Sequence, residues 1–370
     1  MVNLVDQYER YSEEIDNRIR NVLTSGNYIG GDFVRKFESE LSLYLKSKYT
    51  ITCGNGTDAL FASLMALNLK KGDEVLVPSF TFVSTVEVIC LLELKPVFLD
   101  IDPNTFLLNS DLIEKYISSR TKVIMPVHLF GQCCDMQFIQ GLAKKYGLFV
   151  IEDAAQSIGA SYSFPPSFKQ IPSGTMGHLG ITSFYPSKNL GAFGDGGAIF
   201  TQNKQLADKV RLLVNHGQNK KYHYEMVGFN SRLDGIQASI LSFKLTLLKS
   251  FNKKRIKIAD FYDENLKFVD WIQIPVRARN TTHVFHQYSI LLSSKVNRED
   301  FQNYLLKHSI PTMIYYPIPI HKQKPYKSFN KISLPVSEMV AKRIISLPIC
   351  PEIDLEQVQF ICEKIKNFLR

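Results

Sequence analysis

The feature that most constrains this chain is an alternation that begins near residue 50. Short runs rich in branched and aromatic residues (YTITC, DEVLVP, KPVFLD, TKVIMPVH, LFVIEDA, ITSFYP and GGAIFT) are interleaved with longer segments of helical character. Those segments are TDALFASLMALNL, TFVSTVEVICLLE, SDLIEKYIS and MQFIQGLAKKYG. Parallel strands need a crossover between them, so strands separated by helices predict an α/β domain on a mostly parallel sheet. Such a sheet gathers function in the loops at the strand ends.

Two helices are expected ahead of this region. Ile15, Ile19, Val22 and Leu23 have helical spacing over 12–23, stopped by Ser25 and Gly26, and a second helix starts at Gly31-Asp32 with Phe33, Phe37, Leu41 and Tyr44 on one face. A long helical stretch over 236–268 then leads into a strand, HVFHQYSILLS, a helix, REDFQNYLLKHS, and a proline-rich segment, PTMIYYPIPIHKQKP. The reading is a large domain over 1–240, followed over 241–370 by a linker helix and a smaller α+β domain.

A chain of 370 residues, 45% hydrophobic and 21% charged, has the makeup of a globular enzyme. Its net charge of +9 is spread over short pairs and triplets such as Lys70-Lys71 and Lys253-Lys254-Arg255. With no run of five bases, nucleic acid is not an expected partner, whereas a small phosphorylated substrate fits the charge. Six cysteines without CxxC spacing read as reduced thiols, with no metal site. The amphipathic, charged N-terminus and the lack of an 18-residue apolar run give the expectation of a cytoplasmic protein without membrane contact.

Four segments at predicted strand boundaries carry chemistry. CGNGTDAL (53–60) puts Gly54, Gly56 and Thr57 before a helix whose first amides are free to hold an anion. VIEDAAQSIGA (150–160) puts Glu152 and Asp153 after an apolar strand; Asp153 fits a charge partner, such as a cation on a cofactor ring, and equally a helix cap. TSFYPSKNLGAFGDGGA (182–198) sets Ser183 and Lys188 in apolar, glycine-bounded surroundings. There a neutral, nucleophilic amine able to form a Schiff base is favoured, although a lysine snorkelling to the surface also fits. GFNSRLDGIQASIL (228–241) opens a helix with Asn230, Ser231 and Arg232. An anion-holding turn, a strand-end aspartate and a downstream lysine together match the needs of pyridoxal phosphate: phosphate held, ring nitrogen kept protonated, aldehyde bound.

In these segments, and in SGNYIGG, GDEVLVPSFTFVST, PVHLFGQCCDM, NHGQNKKYH and YYPIPIHKQ, the chain resembles the DegT/StrS family of nucleotide-sugar aminotransferases over nearly its whole length. The resemblance implies the pyridoxal-phosphate transferase fold of type I, an α/β large domain with a mixed, mostly parallel sheet plus a smaller C-terminal α+β domain. It implies Lys188 as the Schiff-base lysine and general base, and Asp153 as partner of the pyridine nitrogen. Gln156 would bond the ring's phenolic oxygen and Phe82 would stack on its face. Gly56, Thr57, Ser183 and, from the neighbouring subunit of a homodimer, Asn230 would hold the phosphate.

The resemblance further implies transfer of an amino group from L-glutamate to a keto nucleotide sugar. Arg232, Tyr315, Tyr316 and His321 fall at substrate-binding positions, with Arg232 meeting a carboxylate or diphosphate, or else pairing with Asp234. The motifs look most like those of enzymes acting at carbon 3, on a UDP-2-acetamido-3-keto-hexose or hexuronate. The alternatives are a dTDP-3-keto-6-deoxyhexose, then a 4-keto sugar, and last a non-enzymatic regulator. Dehydratases of the family carry histidine where Lys188 stands. Two departures are Tyr315-Tyr316-Pro317 in place of His-Tyr-Pro, and the long segment SYSFPPSFKQIPSGTMGHLG (161–180), expected as a hairpin that alters the rim, with His178 as a surface or supporting residue.

Overall fold

The computed structural model describes residues 2–369. Two helices lead the chain, α1 (Leu4–Ser25) and α2 (Gly31–Leu45). The first begins eight residues before the stretch whose spacing announces it, because Asn3 caps it by accepting from the Asp6 amide. Then come β1 (Tyr49–Cys53), α3 (Gly56–Ala66), β2 (Glu74–Pro78), α4 (Ser84–Leu91), β3 (Lys95–Leu99), a short α5 (Ser110–Ile113), β4 (Thr121–Ile124), α6 (Met136–Tyr146) and β5 (Phe149–Asp153). A hairpin of β6 (Ser161–Phe164) and β7 (Lys169–Pro172) precedes β8 (Leu179–Ser183), β9 (Gly197–Thr201) and α7 (Lys204–Leu213).

These strands build a seven-stranded sheet in the order β1-β9-β8-β5-β4-β2-β3. Only β9 runs against its neighbours; β8, β5, β4, β2 and β3 are parallel. Alternating side chains bury on both faces, which is why the strands read as continuous apolar runs. Val75, Val77, Val123 and Ile151 pack on one side with α3, α4 and α7. Leu76, Ile124 and Val150 pack on the other with α6.

Beyond a small hairpin of β10 (Gln218–Lys220) and β11 (His223–Tyr224) runs α8 (Gly235–Leu266), capped by Asp234, which accepts from the Gln237 amide at 2.8 Å. The division expected at 240/241 falls inside this helix. Ala238, Leu241, Leu245 and Leu248 pack with α2 and the lysine loop, whereas Ile258, Ala259, Tyr262 and Leu266 belong to a second core. That core is closed by an antiparallel sheet of β12 (Ile272–Gln273), β13 (Tyr288–Leu292) and β14 (Ile344–Leu347), with α9 (Arg298–Lys307) and α11 (Leu355–Lys366). The remaining helix, α10 (Pro335–Arg343), leans back on the first body, its Val336 and Ser337 amides donating to the buried Asp100 just past β3.

Among the described residues no helix is long and apolar enough to cross a membrane. The cysteines are free thiols, and no cluster of metal-ligating side chains is present among those residues.

Candidate active site

The residues at the carboxyl ends of β1, β2, β5 and β8 meet: Gly56 abuts Ser183, Thr57 bonds Ser84, and Thr85 bonds Asp153. After β1, Asn55 caps α3 by accepting from the Asp58 amide at 2.8 Å, which leaves the Gly56 and Thr57 amides without partners inside the helix. A Cβ on Gly56 would lie 2.9 Å from the Cβ of Ser183, so glycine lets the helix start approach the end of β8. The Thr57 hydroxyl lies 2.6 Å from that of Ser84. Two amides and three hydroxyls thus surround the positive end of a helix, a ready anion cradle.

Glu152 and Asp153 lie within β5 itself, not after it, and the alternation of a strand sends them to opposite faces. Glu152 is fully buried and bonds the His128 Nε2 at 2.8 Å and the amides of Gly174 and Met176 at 2.9 and 2.6 Å. It fastens the chain that returns from the β6–β7 hairpin. Asp153 faces the cleft, where its carboxylate accepts from the Thr85 hydroxyl at 2.8 Å and the Ala155 amide at 3.2 Å. No cation pairs with Asp153 among the described residues, so this acid is oriented by neutral donors only.

Lys188 follows β8 in a turn closed by its own amide on the Tyr185 carbonyl at 2.8 Å. Burial pulls its amine down to about 8, and Asp153 pulls part of the way back. Loss of water disfavours the ammonium form, so a substantial fraction of the amine is neutral near physiological pH.

Gln156 is clamped between the Phe130 amide, which donates to its Oε1 at 2.8 Å, and the Tyr316 hydroxyl, which accepts from its Nε2 at 3.0 Å. Burial raises the Tyr316 hydroxyl well above the usual phenol range. The Tyr316 ring packs against Phe80 and against Phe82, a residue 54% exposed at the cleft mouth. Tyr315 lies beside Gln287 and Tyr185.

Asn230 and Arg232 are exposed on either side of buried Ser231, whose hydroxyl joins the Gly54 amide to Asp58. Arg232 makes no ion pair among the described residues, and Asp234 serves as the helix cap. His321 departs from the expectation of a substrate contact. It is fully buried, with Nδ1 on the Ser79 hydroxyl at 2.6 Å and Nε2 on Glu338 at 3.2 Å, so both ring nitrogens are engaged and it anchors the 315–321 segment. His178 sits at the opposite end of β8 beside a cavity of about 700 Å³ that Phe149 and Met176 also line. The 161–180 hairpin bonds to Asn280 and Thr282 and, through Tyr162, to Asp135, instead of to the cleft.

Thr85 and Ser84 stand in SFTFVST, Asn189 beside the lysine and His286 in HVFHQYSILLS, and no local signal in those stretches marks any of the four as part of the site. Burial pushes the His286 imidazolium far below the ordinary range, helped by the charges of Lys188 and Arg255, so the ring is neutral.

The residues present fit pyridoxal phosphate: the amides and hydroxyls beside Gly56 suit its phosphate, Asp153 its ring nitrogen and the amine of Lys188 its aldehyde. On this mostly parallel sheet, that set places the protein among the pyridoxal-phosphate-dependent transferases of fold type I. Within that class the chain belongs to the DegT/DnrJ/EryC1/StrS aminotransferase family, whose model matches residues 9–366. It is 42% identical over 374 residues to the pleiotropic regulatory protein of Geobacillus stearothermophilus (100% of this chain, 98% of the other). It is 44% identical to the UDP-2-acetamido-2-deoxy-3-oxo-D-glucuronate aminotransferase of Pseudomonas aeruginosa (99% of each). It is 43% identical to the dTDP-3-amino-3,6-dideoxy-alpha-D-galactopyranose transaminase of Aneurinibacillus thermoaerophilus (97% and 96%).

Two solved structures superpose closely. A family aminotransferase from Brucella abortus matches with a TM-score of 0.93 at 39% identity (99% of this chain, 98% of the other). DesV of S. venezuelae, solved with a ketimine intermediate, matches with 0.94 at 35% (99% and 97%). The protein is a pyridoxal-phosphate-dependent sugar aminotransferase.

Proposed function

We propose that this enzyme moves the amino group of L-glutamate onto carbon 3 of a UDP-linked 2-acetamido-3-keto-hexose or hexuronate. The observation that carries this reading is the 44% identity, end to end, with an aminotransferase named for a UDP-2-acetamido-3-oxo-glucuronate. The 43% identity with a dTDP-3-amino-6-deoxyhexose transaminase supports the same carbon on a different nucleotide, as the second reading.

Pyridoxal phosphate, when bound, supplies an aldehyde that carries the amino group and a ring that accepts the electrons of the broken C–H bond. Lys188 would hold the aldehyde, and its Nζ, once released by the donor amine, would be the general base that accepts and gives back the donor's α-proton. Asp153, held by Thr85 and Ala155, would keep the ring nitrogen protonated. Gly56, Thr57 and Ser183 would bind the phosphate, Gln156 the phenolic oxygen, and Phe82 would cover the ring face. In a homodimer, Asn230 and Arg232 reach the partner's site, where Arg232, with no acid of its own, meets a carboxylate or diphosphate. Tyr315 and Tyr316 face the sugar, and the enzyme works in the cytoplasm.

The test is a panel of 3-keto and 4-keto sugars, on UDP and dTDP, given to enzyme preloaded with amino groups and read by mass spectrometry. Amination of the UDP-2-acetamido-3-keto sugar at the highest kcat/KM is expected. Preference for a dTDP or 4-keto sugar would overturn the substrate assignment and leave the aminotransferase intact.

A further inference from the structure

A buried chain of side chains runs beneath the lysine loop. The Asn252 amide nitrogen donates to the Ile158 carbonyl at 3.1 Å, and its Oδ1 accepts from the Asn189 amide nitrogen at 2.9 Å. The same Asn189 nitrogen donates to the Val284 carbonyl at 3.2 Å, and Asn189 Oδ1 lies 3.2 Å from His286 Nδ1. All three side chains are at least nine-tenths buried.

The two carbonyls fix every donor and acceptor along this chain. A carbonyl only accepts, so each asparagine must turn its nitrogen toward one; Asn189 Oδ1 then faces His286, and the proton of the neutral ring must sit on Nδ1. His286 Nε2 is left as a lone pair, 3.4 Å from the Gln287 side-chain nitrogen.

The connections join four parts of the molecule. Ile158 lies on the turn that leaves Asp153, Asn189 follows Lys188, Asn252 belongs to α8, and Val284 and His286 lead into β13. A Cβ on Gly159 would sit 2.3 Å from the Asn252 Nδ2, so glycine, at a φ of +89°, is what admits the asparagine. Arg255, one turn along α8, donates to the carbonyls of Phe285, His286 and Ile349 and holds the same strand entry from below.

We propose that Asn189 and His286 are positioning residues for Lys188: the Ile158–Asn252–Asn189–His286 chain fixes the lysine loop relative to the Asp153 turn and the entry of β13. This rests on the assignment of Lys188 as the cofactor-binding amine. A fully satisfied buried network suits the task, since it has one arrangement and resists small displacements. The charge that acts on the amine is Asp153 from β5, and those that act on His286 are Lys188 and Arg255 from α8.

The test compares His286→Leu, which removes the Nδ1 donor, with His286→Asn, which can restore a donor near Nδ1. Full-length holoenzyme supplies kcat and KM, and cofactor-free full-length chain supplies the pH dependence of Lys188 acetylation, read by mass spectrometry. His286→Leu is expected to lower kcat about 10–100-fold, the penalty of a small misplacement of a reacting group, with donor KM changed less than about threefold. The Lys188 midpoint is expected to leave its value of about 8 in His286→Leu and to return toward it in His286→Asn.

Unchanged kcat and midpoint in His286→Leu would overturn the proposal, as would equal losses in both variants. Should the leucine variant not fold, Asn252→Ser, which cuts the link to Ile158 and leaves the ring in place, is expected to shift the same two readouts, and no shift there overturns the proposal. If Lys188 does not hold the cofactor, reductive trapping on the unaltered enzyme fails to label it, an outcome independent of these variants.

Discussion

Lys188 and Lys244 are two amines with the same displaced titration and different surroundings. Burial pulls both down to about 8, with an acid pulling each part of the way back, Asp153 for the first and Glu352 for the second. Lys244 is 4% exposed in the packed first half of α8, its Nζ 5.2 Å from the centre of the Phe193 ring. Lys188 stands in a cleft where strand ends bring together an acid held by neutral donors and the free amides of a helix start. A shifted amine is therefore not in itself a site; what distinguishes Lys188 is a set of neighbours matched to one ligand.

Substitutions at the two lysines separate these cases most sharply. Lys188→Ala is expected to lower transamination by on the order of 10³ or more, since a positioned general base alone is worth about 10²–10⁴. Stopped-flow assays with saturating donor would measure it; turnover near the unaltered rate would remove Lys188 from its role. Asp153→Asn is expected to cost about 10²-fold in kcat by taking away the charge that favours a protonated ring. Thermal melting of the same variant should move little, because the Ala155 amide can still donate to the asparagine oxygen and the Thr85 hydroxyl can turn to accept from its nitrogen.

The pH dependence is a finer test. The rate at which cofactor-free enzyme captures pyridoxal phosphate should rise with pH around a midpoint of about 8, as the Lys188 ammonium loses its proton, instead of rising near the ordinary lysine range. For stability the sign is that of a lysine whose folded value lies below its unfolded one. Each buried amine penalises the fold in full below about pH 8, and the penalty fades as pH climbs to the unfolded value of 10.5. Lys244→Met should accordingly leave kcat within about twofold, and raise stability near neutrality by about 1 kcal/mol. In urea titrations that gain should shrink at pH 10; a loss of activity as large as that of Lys188→Ala would erase the contrast between the two lysines.

The elements around the candidate site were legible because each rests on local signals. Valines and isoleucines announced the strands, Gly54, Gly56 and Thr57 the start of α3, and the apolar setting of Lys188 its unusual amine. The stretch over 236–268 was legible as a linking helix, but a continuous helix gives no signal where its apolar face passes from one core to another. Adjacent Glu152 and Asp153 look alike in sequence, and only the strand's alternation decides that one is a buried fastener and the other faces the cleft. The partners of Asn189 are 63 and 97 residues away, and His321 meets Ser79 across 242, distances over which one sequence carries no pairing information. An asparagine beside the lysine and two histidines ahead of β13 were visible, but nothing local assigns them partners.

The central claim is that Lys188, and not another depressed amine, carries the cofactor. Its most direct test is borohydride reduction of the holoenzyme followed by peptide mass spectrometry. One phosphopyridoxyl group per chain is expected, on the peptide containing Lys188, with Lys244 unmodified. A label on Lys244, or none on Lys188, would contradict it.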